Sequence, residues 1–337
     1  MDTYRKDMKK VQNNRGTGLE ESLRRQLKIT REKRHLTREE VSEGLISAGE
    51  LRRLEEGRVA DFWLLRLLMG RLHILPSVNI FYLSERDNAL ANLESEIRCS
   101  LLLWNYEKAE NQLKQFTELC DKWNRFQQMI FYRLDTALRV RLIRAGRSSR
   151  KEKDVKRLRR FMEENMAGFE ERLLQHRLFS PEELALLSVY YDFTIENTAE
   201  KLKKLYFLIH YFRDEFSQEE KQYLFYADLI LACAQCQYAM GEFQNCIRQC
   251  EKGLELTEYF HTCEATGELC ELIADAKGEL FAKEIVNAEE RKPWAGDIFR
   301  CYMQADAVYD TFYFGYQDGY REKLREKAER WKTIMLE

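Results

Sequence analysis

Apolar residues recur at three- and four-residue spacings along nearly the whole chain, and strict apolar–polar alternation is scarce. The pattern predicts helices throughout and an all-α fold. Three prolines and fifteen glycines in 337 residues leave long stretches without a breaker, which agrees with that reading. Between residues 36 and 72 the predicted helices are short. Thr37 followed by Glu40 is a capping-box start, and a helix runs to about Glu43, where Gly44 permits a tight turn. A second helix is expected from about Ser47 to Glu55, closed by Gly57 just past its end. Asp61 is a good N-cap for a third, which starts Phe62-Trp63-Leu64-Leu65 and is ended by Pro76. Val41, Ile46, Leu51, Leu54, Leu64, Leu68 and Leu72 fall on the inward faces. The third helix is apolar beyond one face, so it is expected to pack on the rest of the chain or on a second subunit. Two short helices with a tight turn, the second exposing Arg52 and Arg53, describe a helix-turn-helix.

From residue 87 onward, long helical patterns alternate with short breaks. Residues 227–256 resemble a tetratricopeptide repeat (TPR), a helix–turn–helix unit of about 34 residues. Ile230, Cys233 and Ala234 stand where its first helix packs, Gly241-Glu242-Phe243 make the turn, and Cys246 and Cys250 stand where the second helix packs back. A weaker copy spans 93–119, with Trp104 and Asn105 at its turn. Further pairs are 126–143 with 152–175, 181–193 with 198–212, and 264–285 with 295–314, before a polar closing helix at 319–335. The basic loop 144–150 joins the first of these. The organisation is a polar lead-in over 1–18, a helix-turn-helix domain over 19–75 and a TPR-like α-superhelix over 87–337. Stacked pairs curve into a superhelix whose concave face suits an extended peptide. The repeat register turns Asp228, Leu231, Gln235 and Tyr238 toward that face, with Ser188, Tyr191 and Asp192 as their counterparts in the preceding pair. A Gln amide pairs with both a backbone N–H and a C=O, and Tyr adds contact area at low entropic cost.

The stretch 36–72 resembles the DNA-binding domain of the Rgg/PlcR-type peptide-pheromone regulators, a branch of the Xre-like, lambda-repressor-like fold. Leu36-Thr37-x-x-Glu40-Val41 matches that family's LTxxEL start, and Leu51-Arg52-Arg53-Leu54-Glu55-Glu56-Gly57 its LSRIExG end. Two positions depart from the pattern: Arg52 replaces a serine, and Gly49 lies inside the reading helix. The resemblance implies transcription regulation in quorum sensing, a short linear peptide as signal, and a homodimer reading two half-sites about 34 Å apart. Ser47 and Ala48, at the start of the second helix, would meet base edges, and Arg52 and Arg53 would fork onto guanine or hold phosphate. Arg38, in the first turn of the preceding helix, and Arg58, past Gly57, suit the DNA backbone.

Charge changes the picture modestly. Residues 1–74 hold 17 Lys and Arg against 12 Asp and Glu, leaving 38 against 45 in the remainder, so a basic end sits on an acidic body. No apolar run approaches the roughly 18 residues that span a bilayer. The opening residues lack the apolar centre of a secretory signal, and nine cysteines form no disulfide framework, so a cytoplasmic protein is expected.

Cys233-x-x-Cys236 and Cys246-x-x-x-Cys250, with Cys263 and Cys270 nearby, invite a zinc reading, but three of them occupy packing positions, so no metal or cofactor is expected. His35, His73, His176, His210 and His261 are scattered, and no phosphate loop, dinucleotide fingerprint or nucleophile elbow is present, so no enzyme is expected. The aromatics Tyr302, Tyr309, Phe312, Tyr313, Phe314 and Tyr316 read as helix packing or a dimer surface. Two other readings stay open: a TPR-type adaptor or antiactivator with a non-reading helix-turn-helix, and a phosphatase acting on a regulator.

Overall fold

The computed structural model describes residues 18–58, 61–74, 84–217, 226–259, 265–283, 288–312 and 318–337. Among these residues there are sixteen helices and no strand, so the protein is all-α. The N-terminal unit comprises α1 (Gly18–Lys33), α2 (Arg38–Ser42), α3 (Ala48–Glu55) and α4 (Phe62–Arg71). Helical pairs follow: α5 (Glu85–Leu102) with α6 (Tyr106–Leu119), then α7 (Arg125–Arg144) with α8 (Glu152–Asn165) and the short α9 (Phe169–Leu174). The chain continues through α10 (Pro181–Thr194), α11 (Thr198–Glu215), α12 (Tyr226–Ala239), α13 (Phe243–Tyr259), α14 (Thr266–Lys283), α15 (Ala288–Phe312) and α16 (Asp318–Leu336).

Local chemistry sets the boundaries. Thr37 and Ser47 both close full capping boxes, with Glu40 and Glu50 reaching back to the cap N–H. Asp61 accepts from the N–H groups of Trp63 and Leu64 and starts α4. His35, His73 and His176 lie at φ 56°, 56° and 51°, each just past a helix end. The N–H after each one bonds back five residues, as in Leu36 to Arg31, Ile74 to Met69 and Arg177 to Arg172. Three histidines without a sequence motif thus share one structural role. They end helices in the left-handed region, which His enters more readily than most residues.

The expected helix over 152–175 is two helices, because Gly168 at φ 70° breaks it and starts α9. The helix expected from 295 begins earlier, at Ala288, and carries Pro293 inside it. The expectations for residues 1–17, Leu75, Pro76, His261, Cys263, Glu264, Ile285, Tyr313, Phe314 and Tyr316 lie outside the described residues.

The N-terminal unit shares its core with the repeats. Val41, Leu51, Leu54 and Leu68 belong to one apolar cluster with Leu158, Leu173, Leu186 and Tyr211 of the repeats. Phe62 and Trp63 join a second cluster built by α5, α6 and α7. Helix α4 packs on both α7 and α10, which accounts for its apolar excess. It is at once the last helix of the first unit and a wall of the second.

Candidate functional site

Helix α3 buries one side and exposes the other. Leu51 and Leu54 point inward, and Gly49, Glu50, Arg52, Arg53 and Glu56 are exposed. Glu55 anchors the rear. Its carboxylate, with 1% of the side chain exposed, accepts from Arg31 Nε at 2.7 Å and from Arg38 Nε at 2.7 Å. Burial alone would raise the Glu55 carboxyl; the two arginines outweigh it and hold the group below its ordinary value. Glu55 is therefore not the surface charge partner for Arg52 or Arg53 that its spacing allowed.

The expected DNA-facing residues stand as follows. Arg53 is exposed and has no ion pair among the described residues, and Arg52 is exposed with Glu56 at 3.7 Å. Arg58 is exposed, its carbonyl accepting from Arg24 Nη1 at 3.1 Å. Arg38 is tethered through Nε to Glu55 at 2.7 Å and its side chain is partly exposed. Ser47 is the N-cap: its hydroxyl donates to Glu50 Oε2 at 2.9 Å and accepts from the Glu50 N–H. Ala48 is half-buried. The first turn of α3 also carries the exposed Glu50, whose carboxyl lies below its ordinary value through the Ser47 hydrogen bonds. That end of the helix presents a carboxylate where a phosphate would otherwise be welcome.

Sequence reasoning missed how this unit is mounted. Arg71, with none of its side chain exposed, donates from Nη2 and Nε to Glu183 at 2.6 and 2.9 Å, and from Nη1 to the carbonyls of Val41 and Glu43 at 2.9 and 2.7 Å. One guanidinium thus holds the turn after α2 against the start of α10. Arg172 approaches both Glu183 and Glu43, at 3.8 and 4.0 Å. Arg66 bridges Glu94 of α5 and Glu182 of α10. Gly70 fits tightly here, since a Cβ would meet Pro181 Cδ at 2.8 Å. A signal was available: two arginines, Arg66 and Arg71, inside an otherwise apolar helix imply buried partners.

The expected groove residues divide. Tyr191 and Leu231, each 1% exposed, are core residues and do not line a groove; the repeat register placed them one face too far outward. Asp192 and Asp228 are partly exposed but already paired. Asp228 accepts from Arg141 Nη2 at 2.7 Å, and Asp192 accepts from Arg144 Nη2 at 2.6 Å and Lys201 Nζ at 3.2 Å. Ser188, Gln235 and Tyr238 are half-buried. Arg141 and Arg144, at the end of α7, are thus cations of this region together with Lys201, and the basic loop is folded onto the repeats. Arg150 pairs with Glu196, and the Arg147 guanidinium lies 5.3 Å from the Tyr106 ring centre.

The cysteines of α12, α13 and α14 are packing residues. Cys233, Cys246 and Cys250 are fully buried, and burial pushes the Cys236 thiol up to about 11 and Cys270 up to about 12. Among the described residues no cluster of three His, Cys, Asp or Glu is arranged to hold a metal, and no helix is long and apolar enough to cross a membrane.

No family model matches the chain, and no curated protein matches it. Among solved structures it is similar to the crystal structure of Bacillus thuringiensis PlcR in complex with the peptide PapR7 and DNA, at 14% identity and a TM-score of 0.49, over 92% of this chain and 99% of that one.

Proposed function

We propose that this chain is a DNA-binding transcription regulator whose repeat region senses a ligand. The observation that carries the reading is the two-sided construction of α3. Its rear is clamped by Glu55, Arg31 and Arg38, while Arg52 and Arg53 stand in solvent with Arg58 just beyond. A rigidly mounted helix with an arginine face suits insertion into a major groove, where a guanidinium forks onto guanine or holds phosphate. Arg52, Arg53 and Arg58 are the proposed principal contacts. Ser47 and Ala48 would approach the bases, and the outer nitrogens of Arg38 a phosphate.

A short linear peptide as ligand and a homodimer as working unit follow from the family resemblance of the sequence. Ser188, Gln235 and Tyr238 would line the groove beside the Asp192 and Asp228 ion pairs. A peptide carboxylate entering there would compete with Asp228 for Arg141 or with Asp192 for Arg144, so binding would rearrange contacts between α7 and the helices it faces. An effector that favours one arrangement shifts the population and so the spacing of two helix-turn-helix units in a dimer.

A second reading has one observation in its favour. Glu50 and Gly49 occupy the leading exposed positions of α3, which suits a helix-turn-helix that docks protein and leaves DNA unread. The purified chain, mixed with genomic fragments that include its own upstream region, decides between them. Retention of one short inverted repeat above a weak background is the expected result. Sequence-blind retention, or none, at low salt would support the docking reading.

A further inference from the structure

The turn between α5 and α6 carries a residue that local energetics disfavours. Trp104 sits just past the end of α5 at φ 54°. Its N–H bonds to Leu101 O, and the Asn105 N–H to Ser100 O, so the helix ends in the doubly bonded motif that usually places Gly at this position. A bulky aromatic in the left-handed region is strained, and such strain persists where surrounding contacts hold it.

Those contacts come from the far end of the chain. The Trp104 ring lies 5.2 Å from Tyr309 of α15 and 6.3 Å from Tyr320 of α16, centre to centre, and stacks with its own neighbour Tyr106 at 6.2 Å and 24°. The cage itself is fixed. Tyr309 and Tyr320 both donate to Glu271 Oε2, at 3.1 and 2.5 Å, and Tyr309 presses on Gly267, where a Cβ would clash at 2.5 Å. Trp104 packs against two apolar clusters: that of α5, α6 and α7, which includes Phe62 and Trp63 of α4, and that of α12–α16. Trp63 is further tied to α5 by its Nε1–H donating to Asp87 at 3.0 Å.

We propose that Trp104 is the closing contact of a ring. Through it the first helical pair is docked on the last helices, so the superhelix is joined end to end. The C-terminal helices then reach α4 and the helix-turn-helix by a second route, across this seam, besides the one along the chain. Opening or tightening the seam is the movement by which a change in α14–α16 is felt at α4. The link to DNA rests on the proposed function; the seam itself does not.

Trp104→Gly tests this without threatening the turn, because glycine removes the backbone strain while deleting the ring. Hydrogen exchange of the full-length protein is followed by mass spectrometry for wild type, Trp104→Gly and Trp104→Phe. The expected result for Trp104→Gly is about tenfold faster exchange in α15 and α16, the scale of one lost aromatic contact, together with faster exchange in α4. Trp104→Phe should restore much of both. Faster exchange confined to 102–106, or faster exchange in α15 and α16 with α4 unchanged, would overturn the proposal. Affinity of the same proteins for a genomic duplex is measured in parallel. A chain that binds no DNA in any form would count against the proposed function and leave the exchange result to decide the seam.

Discussion

The helix-turn-helix and the repeat groove handle charge in opposite ways. On α3 one acidic residue, Glu55, is drawn inward and held by Arg31 and Arg38, while Arg52 and Arg53 stand exposed beside Glu50 and Glu56. In the proposed ligand-binding region the carboxylates of Asp192 and Asp228 are already matched by Arg144 and Arg141, and Ser188, Gln235 and Tyr238 are half-buried. The first surface holds one arginine, Arg53, with no ion pair among the described residues. The second must exchange partners before a charged ligand can settle. Under the proposed function the first region would be a reader with a fixed face and the second a sensor with exchangeable ion pairs, and Arg71 joins the two.

The largest expected effect breaks that joint. Arg71→Ala leaves Glu183 charged, buried and without its main partner, and should cost about 3–5 kcal/mol of stability. Thermal or urea unfolding measures it. A loss below about 1 kcal/mol, the scale of an exposed pair, would show that the joint carries little. Exchanging both partners, Arg71→Met with Glu183→Leu, should restore only part of the loss, since it removes the unpaired charge but leaves the Val41 and Glu43 carbonyls and the Ser180 N–H without their partners.

Acid sharpens the same point. Burial would raise the carboxyls of Glu183 and Glu94, but Arg71 in the first case, and Arg66 and Arg133 in the second, hold them below the ordinary value of 4.5. Groups lowered on folding contribute stability that is fully present above that value and is lost as pH falls through their folded values. Stability should therefore hold down to about pH 5 and fall steeply below it. Glu183→Gln should flatten that fall. An acid limb identical to wild type would show that the pair is not its source.

A smaller effect is expected at the caps. Thr37→Ala removes one half of an exposed capping box on a five-residue helix and should cost about 1 kcal/mol. It should act on stability alone, because Thr37 is not among the proposed DNA contacts. A change in DNA affinity larger than the change in stability would add Thr37 to them.

These cases show which features can be read in sequence. Thr37 with Glu40, Asp61 and Gly57 act over three or four residues, and each appears where its spacing put it. The turn at Gly241 and the packing roles of Ile230, Cys233, Cys246 and Cys250 followed from a repeat register for the same reason. The Arg141–Asp228 and Arg71–Glu183 pairs join residues 87 and 112 positions apart, and no local spacing encodes them. Tyr191 and Leu231 went astray because these repeats are diverged: a turn of one face on a helix buried on several sides moves a groove residue into the core. The histidine helix ends were legible in principle, through His directly after a helical pattern, but His is a rarer terminator than Gly.

The most direct test of the central claim is the salt dependence of DNA affinity, measured on the fragment that wild type retains best, for wild type and for Arg53→Ala. A reader that holds phosphates with arginines loses affinity linearly in log salt, by about 0.9 log units per phosphate contact. If Arg53 holds phosphate, Arg53→Ala should weaken binding to all sequences alike and reduce that slope by about one; if it reads guanine, it should cost about 1–3 kcal/mol at one base pair. Either outcome places α3 on DNA. Affinity and slope unchanged by Arg53→Ala, together with no fragment preferred over another, would contradict it.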